Sequence, residues 1–425
     1  MKHGFLIAAP LVLSGCPAPA LDSTPVPAPL PISVPLSSGN SFNYQVAAER
    51  AKEAAALVTA QNDFGAQLTS RLQAKNDKNE NLLVSPTSVW QALALTAGGA
   101  RGETKTQLGT LLGLQNLPDD KIGASNRAFN GLLGEQKGAT ISVANSVWFA
   151  DAFKPNADFV KGAGENFGAG VELFPSADPA KGANLINDWV SQHTQKEISQ
   201  IVSEGDVSGQ SALLVNAVYF RGRWKNPFDK DETKPAPFHL ADGKSIDVPM
   251  MNGEKSHAYL SGDSFEGVTL PYENTRCALW VLLPKQGKKP GDVLGELSGE
   301  KAQKMYGTSR VTLSLPRFDI EWRENLVGDL AAMKAPLPFS GQADFSAMGE
   351  PTAGISAVLH VCKMKVDEEG TVAAAATAVA VAGAAMMPQE PKVLKFDRPF
   401  VVALVEETSG ARLFEGVIND PSAQN

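Results

Sequence analysis

The chain offers few residues arranged for catalysis. Its five histidines are His3, His193, His239, His257 and His360, and no G-x-S-x-G elbow, H-E-x-x-H helix or C-x-x-C pair accompanies them. No enzyme activity, cofactor or metal site is expected. The stretch with chemical promise is a candidate substrate instead. It runs from Glu368 to Met387 as EEGTVAAAATAVAVAGAAMM, and it carries no charge for eighteen residues, Gly370 to Met387. It holds no aromatic residue, and Pro388 and Pro391 break it on the far side.

Read as a strand, the stretch has two small or apolar faces. Thr371, Ala373, Ala375, Thr377, Val379 and Val381 share one; Val372, Ala374, Ala376, Ala378, Ala380 and Ala382 share the other. Neither face carries a charge or a proline, so the segment suits a central strand with both edges paired. A charge on the inward face would cost several kcal/mol, by order of magnitude. A membrane helix over 371–387 is a poor alternative. Alanine is only marginally hydrophobic, and Asp367, Glu368 and Glu369 flank the run where positive residues are wanted.

The elements that must position this stretch follow from the patterning. Residues 44–75 have helical spacing and read as one or two helices. Leu82 to Val84 is a short strand, and Ser85 with Pro86 starts a helix that Gly98-Gly99 ends. Another helix follows from Gly102 to about Leu112. Further helices are expected over 156–167 and 180–194. Strands are expected over 141–150, 211–224, 238–251 with an Asp242-Gly243 turn, 267–273, 277–284, 311–322 on both sides of Pro316, and 355–369. Two closing strands surround Thr408-Ser409-Gly410. Helices gather in the first half and strands in the second, an α+β arrangement without regular βαβ alternation.

The length of 425 residues, with 43% hydrophobic and 20% charged, fits a globular protein. A formal net charge of −8 argues against a nucleic-acid partner. Of three cysteines, Cys277 and Cys362 lie in apolar runs and read as small buried hydrophobes, though sequence leaves open whether they pair. Residues 1–15 have a lysine followed by a short apolar core, the pattern of a signal peptide. Leu13-Ser14-Gly15-Cys16 resembles the lipobox of bacterial lipoproteins. That resemblance implies lipidation at Cys16 and an anchored protein in the bacterial outer membrane, on its periplasmic or outer side. An ordinary secretory signal with an incidental Cys16 is the alternative. Residues 16–43 contain seven prolines and read as a semi-rigid tether. One domain then covers 44–425.

Six segments, in order, resemble the serpins. They are NLLVSPTSVWQALALTAGGARGETKTQL, INDWVSQHTQKEI (186–198), LVNAVYFRGRWKNPF (214–228), ADFSAM (343–348), the run from His360 to VDEEGTVAAAA, and FDRPFVVAL with LFEGVINDP (396–421). The resemblance covers about 55–421 and implies a serpin fold, with helices packed on a large mixed sheet and an exposed reactive-centre loop at about 368–395. It implies a monomeric inhibitor of serine proteases, with cysteine proteases as a second target class. The loop is cut, and its N-terminal part, 370–382, inserts as a strand while the acyl-enzyme is trapped.

The same resemblance assigns Glu368, Glu369, Gly370, Thr371, Ala373, Ala374, Ala375 and Ala376 to a hinge. It assigns Ser85, Ser88, Asn216 and His360 to a polar cluster, the shutter, where strands part. Counting from Glu368 places the cut bond at Ala384–Ala385, where small residues suit elastase-like or subtilisin-like proteases. Counting back from 396 lands near Met387–Pro388, and Ala385–Met386 and Met386–Met387 stay open. Val372 replaces an acidic residue often found in the family. A non-inhibitory serpin, acting as a binding or structural protein, is the alternative reading.

Overall fold

The computed structural model describes residues 44–423 except 116, 137, 298–304, 352–353 and 372–389. Most of its helices lie in the first half. The helices are α1 (Tyr44–Ala74), α2 (Pro86–Gly99), α3 (Gly102–Leu111), α4 (Asp119–Gly134), α5 (Ala157–Gly162), α6 (Pro179–His193) and α7 (Glu204–Val207). Two short ones, α8 (Pro290–Glu296) and α9 (Val327–Ala332), come later. The expectation of one or two helices over 44–75 resolves to one. Its apolar positions Leu57, Val58, Phe64, Leu68 and Leu72 are all buried, so one face packs along its length. Helix α2 is buried nearly all round, and its Trp90 indole donates to the Leu112 carbonyl at 3.0 Å.

Two large sheets carry the second half. Six strands form one of them. In chain order they are β2 (Ala139–Ala150), β4 (Gly170–Phe174), β5 (Ala212–Arg223), β11 (Phe318–Asn325), β13 (Ala357–Val366) and β14 (Gly370–Thr371). The spatial order is β11-β13-β5-β2-β4, with β14 added against β5. The other sheet has nine strands, β1 (Leu82–Val84), β6 (Lys234–His239), β7 (Ser245–Ser261), β8 (Phe265–Pro271), β9 (Cys277–Pro284), β10 (Met305–Pro316), β15 (Lys392–Lys395), β16 (Phe400–Glu406) and β17 (Ala411–Ile418). A small ribbon pairs β3 (Lys154–Pro155) with β12 (Gly349–Glu350).

The centre of the six-stranded sheet is a parallel pair. Residues 357–363 of β13 run alongside 213–219 of β5 in unbroken register. Both strands are covered on both faces, so they read as continuous apolar runs. Alternate residues still divide. Leu214, Val218, Val358 and Met364 join the main core, which continues into α2 and the nine-stranded sheet. Leu213, Val215, Leu359 and Val361 pack with Ile186, Val190 and Ile198, on and just beyond α6. Each fully buried aliphatic side chain of this kind contributes roughly 1.5–3 kcal/mol.

Some elements differ from expectation. The strand expected over 355–369 stops at Val366, because Asp367 turns the chain. Its carboxylate accepts from the Glu369 and Gly370 amides at 3.0 and 3.2 Å. Helices α4, α8 and α9 were not expected. Polar Asn126 sits buried in the middle of α4 and interrupts its apolar stripe, while α8 and α9 are too short to show a period. The two arms around Pro316 are strands, as read, but they belong to different sheets. Cys277 and Cys362 are both free and buried.

Candidate functional site

The site lies along the seam between β5 and β13. Beneath its lower half is a neutral polar cluster. Ser85 caps α2, its hydroxyl accepting from the Ser88 amide at 3.4 Å. The Ser85 amide donates to His360 Nε2 at 3.0 Å, so β13 is tied to the start of α2. Asn216 of β5 donates to the Ser88 hydroxyl and to Asn145 Oδ1 of β2. The structure thus brings Ser85, Ser88, Asn216 and His360 together and adds Asn145, which sequence reasoning missed. Gln91 extends the network to Asn126 and Asn130 of α4, at 3.0 and 2.8 Å.

His360 is fully buried, and Cys362 Sγ approaches the same Nε2 at 3.0 Å. Burial pushes the imidazole down to about 3. It is therefore neutral, with Nε2 accepting and Nδ1 protonated. Burial likewise pushes the Cys362 thiol up.

Above residues 219 and 363 the seam opens, and β14 sits in the opening. Thr371 pairs with Gly222, and Gly370 with Arg223, both antiparallel to β5. Thr371 is fully buried and shares a 2.7 Å hydrogen bond with the Tyr272 hydroxyl. Tyr272 stacks on Trp224 with ring centres 4.4 Å apart, and Phe220 meets its edge at 4.7 Å. Gly370 has φ +155°, and a Cβ there would run into the Gly222 carbonyl oxygen and the Arg223 Cα. Assigned to the hinge by resemblance, Gly370 is in this structure a close-approach glycine.

Two carboxylates fasten the base of this segment. Glu368 is buried and accepts from Arg317 Nε at 2.6 Å and from the Thr233 hydroxyl. Burial pushes its carboxyl up, but the hydrogen bonds from Arg317 and Thr233 outweigh this and hold it below the usual range. Glu369 pairs with Lys230, whose ammonium that contact raises. The loop after β5 completes the grip. Trp224 N–H donates to the Glu369 carbonyl at 2.9 Å, and Phe228 N–H to the Glu368 carbonyl at 2.8 Å. The Trp224 indole donates to the Asp367 carbonyl at 2.9 Å.

Sequence reasoning named Glu368 to Thr371 but not Tyr272, Trp224, Arg317, Thr233 or Lys230. No local signal marks them, since each reaches the hinge only through the fold. Ala373, Ala374, Ala375 and Ala376, the candidate bonds at Ala384, Ala385, Met386 and Met387, and the lipidation position Cys16 lie outside the described residues.

A family profile described as serpin, serine protease inhibitor, matches residues 59–421. The chain belongs to the serpin family. A rice relative (Oryza sativa subsp. japonica), serpin-Z2A, is 31% identical over 412 residues, covering 85% of this chain and 97% of that protein. The crystal structure of Manduca sexta serpin-12 is similar with a TM-score of 0.76 at 25% identity, covering 86% of this chain and 99% of that one. Human thyroxine-binding globulin, solved in complex with its ligand, shares the fold with a TM-score of 0.79 at 22% identity, covering 87% of this chain and 100% of that one. The serpin fold anticipated from the sequence is therefore the fold observed.

The polar cluster has a pH signature. The folded His360 pKa of about 3 lies below its ordinary value of 6.5. The unfolded chain takes up this proton first, so the stability it contributes is complete above pH 6.5 and is lost as pH falls toward 3. Thermal melts between pH 7 and 5 should show a falling midpoint for the wild type and a flatter profile for His360→Gln. Parallel profiles would refute the assignment.

Proposed function

We propose that this serpin is a suicide-type inhibitor of serine proteases of elastase-like or subtilisin-like preference. The observation that carries the reading is Thr371. It already occupies the first rung of the strand that the loop would add between β5 and β13, buried and paired with Gly222. Beyond it the sequence is uncharged and free of proline through Met387. Continued pairing meets no buried charge and no missing donor.

The mechanism follows from that arrangement. A protease cuts the loop near Ala384–Ala385 and becomes acylated. The freed segment 370–382 continues the β5 register downward while β13 moves aside. Each new pair adds backbone hydrogen bonds on two edges. The polar cluster of Ser85, Ser88, Asn216 and His360 acts as the shutter that must rearrange as β13 moves. Its bonds are directional, so it favours two discrete arrangements over a gradual drift. The Glu368 and Glu369 contacts keep the base of the loop in place, so the inserted part carries the protease away from its original position.

The N-terminal segments add location to this reading. Residues 1–15 act as the export signal and are removed before Cys16, Cys16 carries the lipid, and 16–43 hold the monomeric inhibitor away from an outer membrane. The family fold also hosts ligand carriage, as the thyroxine-binding globulin complex shows for that protein. A non-inhibitory surface role is the reading that the tests below separate from inhibition.

Incubation with an elastase-like or subtilisin-like protease should give a complex that survives denaturing electrophoresis, and loop cleavage should raise the melting temperature of the protein sharply. Cleaved product beside fully active protease, with an unchanged melting temperature, would sink the inhibitor reading.

Thr371→Arg would place a cation in the pocket under Tyr272 and Trp224. It should turn the inhibitor into a substrate, raising the number of inhibitor molecules consumed per protease by about tenfold or more; an unchanged stoichiometry would refute the hinge argument.

In a bacterial host, Cys16→Ser should move the protein from the membrane fraction to the soluble one, and continued membrane retention would remove the lipid anchor.

A further inference from the structure

A second buried histidine lies beside the hinge, apart from the polar cluster. His257 is on β7, 7% exposed, opposite Ser309 of β10. It borders a gap lined by Trp224 and Phe228 of the loop after β5 and by Leu270 and Pro271 at the end of β8. The gap holds about 10 Å³ of free space, room for one water at most. Among the described residues, exposed Asn226 is the other polar side chain along it. The same loop carries the backbone grip on the hinge, through the Trp224 and Phe228 amides and the Trp224 indole. It is seated on β8 by the Lys225 amide, which donates to the Pro271 carbonyl at 2.9 Å. His257 thus packs against the two residues that hold Glu368 and Glu369.

The neighbouring elements bring this ring no carboxylate among the described residues. Lys255 lies two residues before it on the same face of β7, and its ammonium donates to the Pro227 carbonyl of the loop. Asp229 of the loop acts on Lys255, Lys230 is paired with Glu369, and Lys225 is exposed. On β8, Glu266 acts on Tyr259 further along. On β10, Arg310 pairs with Glu254 on the other face of the sheet. Burial therefore holds the imidazole below its ordinary value of 6.5. A hydrogen bond to the Thr269 backbone opposes that shift, and the Lys255 ammonium adds to it.

We propose that His257 is an acid-operated release for the hinge: a proton on its ring lifts the loop of Trp224 and Phe228 and frees the base of β14. The closed gap is too small to hydrate an imidazolium, so it favours the neutral ring. With the loop lifted, water reaches the ring and the charged form is no longer penalised. The grip is complete above pH 6.5 and weakens as pH falls below it. For a ring that titrates at 6.5 once open, the open form gains at most about thirtyfold at pH 5 and almost nothing at pH 7.5. His360, held down to about 3, stays neutral throughout this window. The release is independent of the inhibitor reading; its effect on inhibition rests on that reading.

The test is amide hydrogen exchange of the full uncleaved protein at pH 7.5 and pH 5, followed by mass spectrometry of the segments 224–228 and 367–371. Wild type is compared with His257→Gln and His257→Phe, whose side chains stay neutral at both values. The change in exchange between the two pH values is taken within each protein. The chemical effect of pH on exchange then cancels between proteins, and so does any loosening that a substitution causes at both values. On going to pH 5, both segments should gain roughly three- to thirtyfold more exchange in the wild type than in either variant. Segments on α1 and β16 should change alike in all three proteins.

An equal change in wild type and variants overturns the release, and so does an acceleration spread evenly over the whole chain. A second arm counts inhibitor molecules consumed per protease at the two pH values. A freed base removes the anchor from which insertion carries the protease away. At pH 5 the wild type should consume several-fold more than either variant, and at pH 7.5 the three should agree. Equal consumption at pH 5 overturns the effect on inhibition. If no covalent complex forms at either pH, the inhibitor reading fails while the exchange arm still decides the release.

Discussion

The parallel pairing of β5 with β13 is the contact on which the rest of the structure depends. It is closed over 213–219 and 357–363 and open above them. Each strand is held from both faces, by α6 and the segment after it on one side and by α2 and the main core on the other. Neither strand therefore needs the other to stay folded. A parallel ladder supplies slightly less stability per residue than an antiparallel one. Parting the seam would leave the packing of each strand on its support in place.

Beside the backbone ladder and the apolar packing, a polar cluster ties the seam on one side. His360 on β13 and Asn216 on β5 reach the start of α2 through Ser85 and Ser88. Removing one member of such a cluster leaves its partner buried and unsatisfied, so the cluster acts as a unit. An apolar contact in the same place would allow small slips. At the open end, the carboxylates of Glu368 and Glu369 are held from three separate places: by the cations Lys230 after β5 and Arg317 between β10 and β11, and by the Thr233 hydroxyl before β6. These contacts hold Glu368 and Glu369 in place at the base of β14.

Much of this was legible in the chain. The Ser85-Pro86 start of α2, the buried runs of β5, β9 and β16, and the β6–β7 turn all rest on local rules of capping, periodicity and turn chemistry. The uncharged run after Glu369 was legible in the residues themselves, and the four polar-cluster residues followed from resemblance to the family. The missed elements failed for local reasons too: α4 buries a polar Asn126, and α8 and α9 span fewer than two turns each. Asn145 and Tyr272 gave no signal because an asparagine in a strand and a tyrosine at a strand end have many ordinary explanations.

By itself, the sequence determined the order of most elements and the composition of an uncharged, proline-free segment after Glu369. Those properties depend on neighbours a few residues apart. The tertiary structure alone decided where that segment begins to pair. Thr371 meets Tyr272 ninety-nine residues away, and Glu368 meets Arg317 fifty-one residues away. Burial, register and the parting of two strands are properties of several segments at once, and no local pattern encodes them.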